Sequence, residues 1–149
     1  HFAIRRQRQM CIRDSYKGRS VIFSGDTRSL PGSKIIEMSK GVDVLIHETQ
    51  IPYPGDSKEA KLANVSMIVH STPAQVAHVF NEAQPRLGVY SHIIPPETTR
   101  EELLSMTEYD GSMEVAEDLM TITIGDEIIV GMAEIMDGQT FLESDAVDE

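Results

Sequence analysis

Acidic and histidine side chains follow short apolar runs at four places in this 149-residue sequence. They are Asp26, the adjacent pair His47 and Glu48, His70, and His92. Carboxylates and imidazoles bind divalent metal ions and carry protons in catalysis, so these residues are the candidates for chemistry. Each of them alone also has a structural interpretation, because a turn aspartate can satisfy local N–H groups and a histidine at a strand end can support packing.

The apolar runs before these residues predict short strands that are covered on both faces. We expect strands at residues 20–24, 42–46 and 87–91, and a hairpin from residues 119–124 and 127–131. Ligands of an open α/β sheet collect outside the carboxyl ends of its strands. The candidate residues are therefore predicted to meet at one edge of the sheet.

Helices are predicted between these strands. Ser33 precedes an apolar pattern at residues 34–40, and a helix is expected from Thr98 or Thr99 to about residue 106. Thr72-Pro73-Ala74-Gln75 has the pattern of a capping box with proline in the first turn. Residues 49–66 are predicted to form a surface loop with one helical turn near residues 58–62. The class is α/β.

The type of each candidate indicates its chemistry. Asp26 has two carboxylate oxygens that could bridge two metal ions about 4 Å apart. His92 could be a metal ligand, and Glu48 could orient a neighbouring histidine. His70 precedes a helix start, where it could donate a proton to a leaving oxygen. His47 could be a ligand or a residue that supports one.

Charge and composition exclude several function classes. The net charge is −11, and from Glu97 onward acidic residues predominate, with Arg100 as the single base. This balance disfavours a nucleic-acid groove in the last third of the chain, where a solvated acidic face is the simpler interpretation. The single cysteine, Cys11, excludes a disulfide framework and a cysteine zinc knuckle. No run is long and apolar enough to cross a membrane.

The two ends of the sequence differ from its middle. Residues 1–15 are basic, lack a sustained period, and are expected to be a non-native-looking or disordered segment, while residues 132–149 are expected to be an acidic tail. The domain is predicted to span residues 16–131. Because the sequence begins with His1 rather than Met, we expect the natural N-terminus to be missing, and the compartment is left open.

Four short motifs in the same order carry a family resemblance. They are Ser24-Gly25-Asp26-Thr27, Ile46-His47-Glu48-Thr49, His70-Ser71-Thr72 and Ser91-His92. With them, residues 16–131 resemble the C-terminal half of a metallo-β-lactamase superfamily hydrolase, in the ribonuclease Z and arylsulfatase-like branch. The resemblance implies half of an αββα sandwich, with helices packed outside the strands.

The resemblance also implies a role for each site residue. Asp26 would bridge two zinc ions, and His92 would complete the ligands of the second ion. Glu48 and His70 match the catalytic positions that assist proton transfer to the leaving group, and His47 ranks below them as a supporting residue. The implied reaction is hydrolysis through a metal-activated water.

Two departures from the family pattern modify this expectation. The first metal-binding motif, His-x-His-x-Asp-His, is absent, as is the isolated histidine ligand that follows it. The remaining ligands are too few for a dinuclear site, so we expect the chain alone not to hydrolyse a substrate. The continuation Ile93-Ile94-Pro95-Pro96 after His92 is unusual for ribonuclease Z. Together with the acidic balance, it favours a small ester substrate.

The leading hypothesis is therefore a fragment of a zinc-dependent hydrolase that acts on a phosphodiester, sulfate ester or related ester. The alternative enzyme is a tRNA 3′-processing endoribonuclease, whose RNA substrate is disfavoured by the charge. A non-catalytic α/β binding module is the alternative of another class. An oligomer is compatible with each hypothesis.

Overall fold

The structure is a computed structural model that describes residues 11–136 and 139–141, with side chains described as far as Ala133. The strands are β1 Ile12–Tyr16, β2 Arg19–Phe23, β3 Val44–Gln50, β4 Leu87–Ile94, β5 Met113–Val115, β6 Met120–Ile124, β7 Ile128–Met132, β8 Glu134–Met136 and β9 Gln139–Phe141. The helices are α1 Lys34–Ser39, α2 Lys58–Ala63, α3 Pro73–Ala83 and α4 Arg100–Ser105, and a 3₁₀ helix spans Asn64–Ile68. None of these helices is long and apolar enough to cross a membrane.

The first five strands form one sheet in the order β1-β2-β3-β4-β5. β1 is antiparallel to β2, and the other neighbours are parallel. Parallel neighbours need a crossover connection, and α1, α3 and α4 lie in the three connections from β2 to β5. The predicted α/β class is confirmed. The predicted hairpin is confirmed as the antiparallel pair β6–β7.

Both faces of the sheet are covered, as the continuous apolar runs predict. One face packs against the helices through buried residues Ile22, Ile35, Ile36, Val42, Leu45, Val76, Val79, Phe80, Ala83, Tyr90, Leu103 and Val115. The other face has buried Val44, Leu87 and Val89, which pack against Ile122, Ile124 and Ile128 of the β6–β7 hairpin. Adjacent Val44 and Leu45 therefore point to opposite faces, as the period of two in a strand requires.

Helix α3 begins as its residues predict. The Gln75 N–H donates to Thr72 Oγ1 at 3.3 Å, and the Thr72 N–H donates to Gln75 Oε1 at 2.9 Å. This reciprocal pair is the capping box, and Pro73 occupies the first turn, where its missing N–H has no cost. Because the cap at Thr72 begins the helix directly after His70 and Ser71, it fixes the position of these two residues at the start of α3.

Two predicted strand ends are wrong. β3 continues to Gln50 and β4 to Ile94, so the candidate residues His47, Glu48 and His92 lie inside strands rather than after them. Polar residues suggest a strand end, but all four residues at positions 47–50 are buried and hydrogen-bonded to other elements. Tertiary partners thus allow the strand to continue through polar sequence.

Strands occur on both sides of the predicted domain of residues 16–131, whose boundaries stay a prediction. β1 pairs with β2 along its whole length and brings residues 12–15 into the sheet, before the expected start of the domain at residue 16. Within the expected acidic tail, β8 and β9 form a separate antiparallel pair. The expectations for residues 1–10 and 142–149 lie outside the described residues.

His47 is a core residue on the helix face of β3, with no exposed surface. Its Nδ1–H donates to the Glu48 carbonyl at 2.6 Å, so its Nε2 is the nitrogen that accepts from Ser29 Oγ at 2.9 Å. Both ring nitrogens are satisfied in one neutral tautomer. Burial lowers the pKa of His47 to about 4, and the bond to the Glu48 carbonyl opposes this shift only in part.

Replacing Gly88 with alanine is predicted to destabilise the core. A Cβ at this position would lie 2.8 Å from Phe80 Cε2, and the buried Phe80 ring is held between Tyr90 and Tyr109 at centroid distances of 5.6 and 5.5 Å. We expect Gly88→Ala to lower the free energy of unfolding by about 1–3 kcal/mol in urea denaturation. The double variant with Phe80→Leu should recover part of the loss. Wild-type stability of Gly88→Ala alone would contradict this contact.

His47 predicts a pH-dependent stability. The unfolded chain binds a proton on His47 near the ordinary pKa of 6.5, whereas the folded chain binds it only near pH 4. Between these values the unfolded state holds more protons, so the contribution of His47 is complete above pH 6.5 and is lost as the pH falls towards 4. The loss should be roughly 3 kcal/mol, at 1.4 kcal/mol per unit of pKa.

Urea denaturation between pH 7.5 and 4 measures this effect. His47→Asn should be less stable at pH 7 and should show a flatter pH dependence, because the buried ionisable group is gone. His78→Asn on α3 is the matched control and should keep the wild-type slope. An unchanged slope in His47→Asn would refute the assignment.

Candidate metal centre

The turn after β2 places Asp26 beyond the edge of the sheet. The Ser24 N–H donates to the Ile46 carbonyl at 2.9 Å, and Ser24 Oγ accepts from the Glu48 N–H at 3.2 Å, so Ser24 is joined to β3 just before the turn. Gly25 follows with a φ of +58°, in the left-handed region that glycine adopts without strain. The chain therefore turns sharply at Gly25, and Asp26 is the first side chain after the turn.

A bulge in β4 directs His92 towards Asp26. His47 pairs with Tyr90 and Thr49 pairs with Ile93, so the two residues Ser91 and His92 lie opposite Glu48 alone. His92 has a φ of +49°, which is unfavourable for a residue with a side chain and is typical of functional sites. Its Nδ1 lies 2.9 Å from Asp26 Oδ1.

Glu48 and His70 form a buried pair beside these residues. Glu48 Oε2 accepts from His70 Nδ1–H at 2.8 Å, and Glu48 Oε1 accepts from the Ser71 N–H at 2.8 Å. Burial raises the pKa of Glu48, while the bonds from Ser71 and His70 act in the opposite direction. A carboxylate on Nδ1 selects the imidazole tautomer, which leaves His70 Nε2 for a metal or a proton.

Asp26, His70 and His92 form one cluster of metal-binding groups. One ligand atom from each lies within 4.8 Å of the others, and the two imidazole rings are 5.5 Å apart at an angle of 69°. Atoms that bind one zinc ion at about 2.1 Å lie no more than about 4 Å apart, so small side-chain rotations suffice. Two imidazole nitrogens and a carboxylate oxygen are donors that zinc accepts. The residues present fit a divalent metal ion.

The structure brings together four of the five residues predicted for the site. Asp26, His92 and His70 converge, and Glu48 contacts His70, although the sequence suggested proton transfer rather than metal binding for His70. His47 points to the opposite face of β3 and contacts Ser29 instead of the cluster. Its predicted role as a supporting residue stays a prediction.

Sequence reasoning missed two features of the site. The bulge at His92 has no local signal, because Ser91-His92 contains neither glycine nor proline. The buried hydroxyl of Ser71 was also missed, although this residue lies in the His70-Ser71-Thr72 motif. Its position between a site histidine and a helix cap was the available signal.

Curated relatives of this chain are ribonucleases Z, whereas no profile of a known protein family matches it. Ribonuclease Z of Methanothermobacter thermautotrophicus is 29% identical over 109 residues, which are 72% of this chain and 33% of the relative. The enzymes of Methanosarcina mazei and Bacillus subtilis are 41% and 39% identical over 76 and 77 residues, about half of this chain and 22% of each relative. The chain thus spans a third or less of these relatives.

A solved structure has a similar fold. The metallo-β-lactamase fold protein YhfI of Bacillus subtilis superposes with a TM-score of 0.57 at 16% identity, over 81% of this chain and 44% of YhfI. At this identity the comparison shows the fold alone, and it agrees with the sheet and outer helices described above. The chain is therefore similar in sequence to part of ribonuclease Z and has the fold of part of a metallo-β-lactamase fold protein.

Proposed function

We propose that this chain is part of a metal-dependent ribonuclease that cleaves phosphodiester bonds in RNA, as its ribonuclease Z relatives are named for doing. The observation that carries the proposal is the convergence of Asp26, His70 and His92 within 4.8 Å at one edge of the sheet. The buried Glu48 beside His70 adds a group that can hold or move a proton.

The relatives favour RNA over the small ester that the sequence favoured. Ribonuclease Z sequences match at 29–41% identity over 76 to 109 residues. The net charge of −11 was the main argument against RNA. That charge belongs to a chain that spans a third or less of each relative, so it does not describe the whole surface that would meet a substrate.

In this proposal the chain's own residues have different roles. A divalent ion, with zinc as the expected metal and two ions as the expected number, would activate water and stabilise charge on the phosphate. Asp26 and His92 would hold the metal, and their Oδ1 and Nδ1 atoms already lie 2.9 Å apart. Glu48 keeps the proton of His70 on Nδ1, so Nε2 is free to bind metal or to serve the leaving oxygen.

Metal affinity of the chain itself is the first test. We expect zinc binding in calorimetric titration, and we expect Asp26→Ala and His92→Ala to weaken it at least about tenfold, since each removes a ligand. Asp118→Ala removes an exposed carboxylate outside the cluster and is the control. Full zinc occupancy in Asp26→Ala, measured by elemental analysis, would contradict the role of Asp26.

Cleavage of RNA is the second test, with the longest protein that the reading frame encodes. We expect it to cleave a tRNA precursor with a 3′ extension, and we expect Glu48→Gln to reduce the rate by about 10²-fold or more at unchanged metal content. The chain of 149 residues alone is expected to be inactive. Hydrolysis of an aryl sulfate or a small phosphodiester without cleavage of RNA would favour the small-ester hypothesis. Metal binding without hydrolysis of any of these substrates would favour the binding module.

A further inference from the structure

Ser71 lies between the loop that carries Asp26 and the His70–Glu48 pair of the candidate metal centre. The residue has no exposed surface, and both its hydroxyl and its backbone form hydrogen bonds to other elements. A fully buried hydroxyl cannot reach a substrate, so Ser71 is not a nucleophile. Its bonds indicate a different role.

The hydroxyl of Ser71 holds the loop that carries Asp26. Ser71 Oγ donates to the Thr27 carbonyl at 2.5 Å and accepts from the Ser29 N–H at 2.9 Å. Within the described residues, the third bond that attaches residues 27–29 to another element runs from Ser29 Oγ to His47. The residue after Asp26 is therefore anchored directly to Ser71.

The backbone of Ser71 holds the His70–Glu48 pair and the strand β3. Its N–H donates to Glu48 Oε1, the carboxylate whose second oxygen binds His70. Its carbonyl accepts from the Gln50 N–H at 2.7 Å and from Thr49 Oγ1 at 3.1 Å, which attach it to β3. Ser71 is thus bonded rigidly to the strand and to the carboxylate that orients His70.

We propose that Ser71 is a positioning residue that sets the distance between Asp26 and the His70–Glu48 pair. The Asp26 side chain itself contacts His92, and both partners of that contact are partly exposed, with side chains 38% and 54% accessible. An exposed pair of this kind contributes little rigidity. Of the two bonds of the Ser71 hydroxyl, one is buried and the other partly buried, and with the buried Ser29–His47 bond they hold the loop that carries Asp26. This inference rests on the proposed metal-dependent function.

Zinc affinity and amide hydrogen exchange of three variants test this role. Ser71→Ala removes both bonds to the loop, and Ser71→Thr keeps a hydroxyl. Tyr90→Phe is the matched control, because it removes a buried hydroxyl bond of 2.9 Å to Thr107 on the helix side of the sheet, away from the metal cluster. Unfolding midpoints are measured for all three variants, so that a loss of affinity is separated from a loss of fold.

We expect Ser71→Ala to weaken zinc binding about tenfold, in the range found when groups that support metal ligands are removed. The Ser29 amide should exchange faster in Ser71→Ala, while Tyr90→Phe should leave both quantities at wild-type values. Ser71→Thr should bind zinc more tightly than Ser71→Ala.

The contradicting outcomes are distinct. Equal losses of zinc affinity in Ser71→Ala and Tyr90→Phe would overturn the positioning role, as would wild-type zinc affinity in Ser71→Ala. Absence of zinc binding by the unchanged chain would overturn the proposed function and this inference together. Zinc binding that Asp26→Ala abolishes and Ser71→Ala leaves intact would overturn the inference alone.

Discussion

The pairing of β3 with β4 is the constraint on which the site depends. The register is regular from Val44↔Leu87 to His47↔Tyr90 and then shifts by one residue opposite Glu48. Before the shift, successive side chains of β3 and β4 point alternately to the two faces of the sheet and form the core. At the shift, β4 gains one residue and His92 takes a left-handed conformation beside Asp26. One irregularity in the central pair thus converts a packed sheet into a candidate metal site.

Buried polar groups make this arrangement specific. Glu48, His47, Ser29 and Ser71 are almost inaccessible, and each side chain has a partner. Among buried side-chain atoms in the described part of the chain, Ser39 Oγ is the one without a partner. Because an unpaired buried polar group costs about 1–3 kcal/mol, a network of this kind disfavours alternative packings of the loops around the site.

His47 and Glu48 show how neighbouring residues acquire different chemistry. They are adjacent in β3 and point to opposite faces. His47 lies in the core, where burial keeps it neutral and both its nitrogens are used. Glu48 is also buried, but its two oxygens face His70 and Ser71 at the edge that holds the metal cluster. The period of two in the strand therefore separates a packing residue from a residue of the site.

Local sequence was sufficient for much of this protein. Apolar runs predicted β2, β3 and β4, the Thr72–Gln75 pattern predicted the start of α3, and the order of acidic and histidine residues indicated a metal-dependent site. These signals are local, because helix caps and strand burial depend on residues close together in the chain.

The extension of β3 through His47-Glu48-Thr49-Gln50 was not predictable in this way. Its side chains form hydrogen bonds to Ser29, Ser66, His70 and Ser71, which lie 16 to 23 residues away along the chain. The bulge at His92 and the role of Ser71 likewise depend on contacts between distant segments. The sequence by itself determined which residues are available for chemistry, and the tertiary structure decided which of them meet, because strand register and buried hydrogen bonds exist only after the segments have packed.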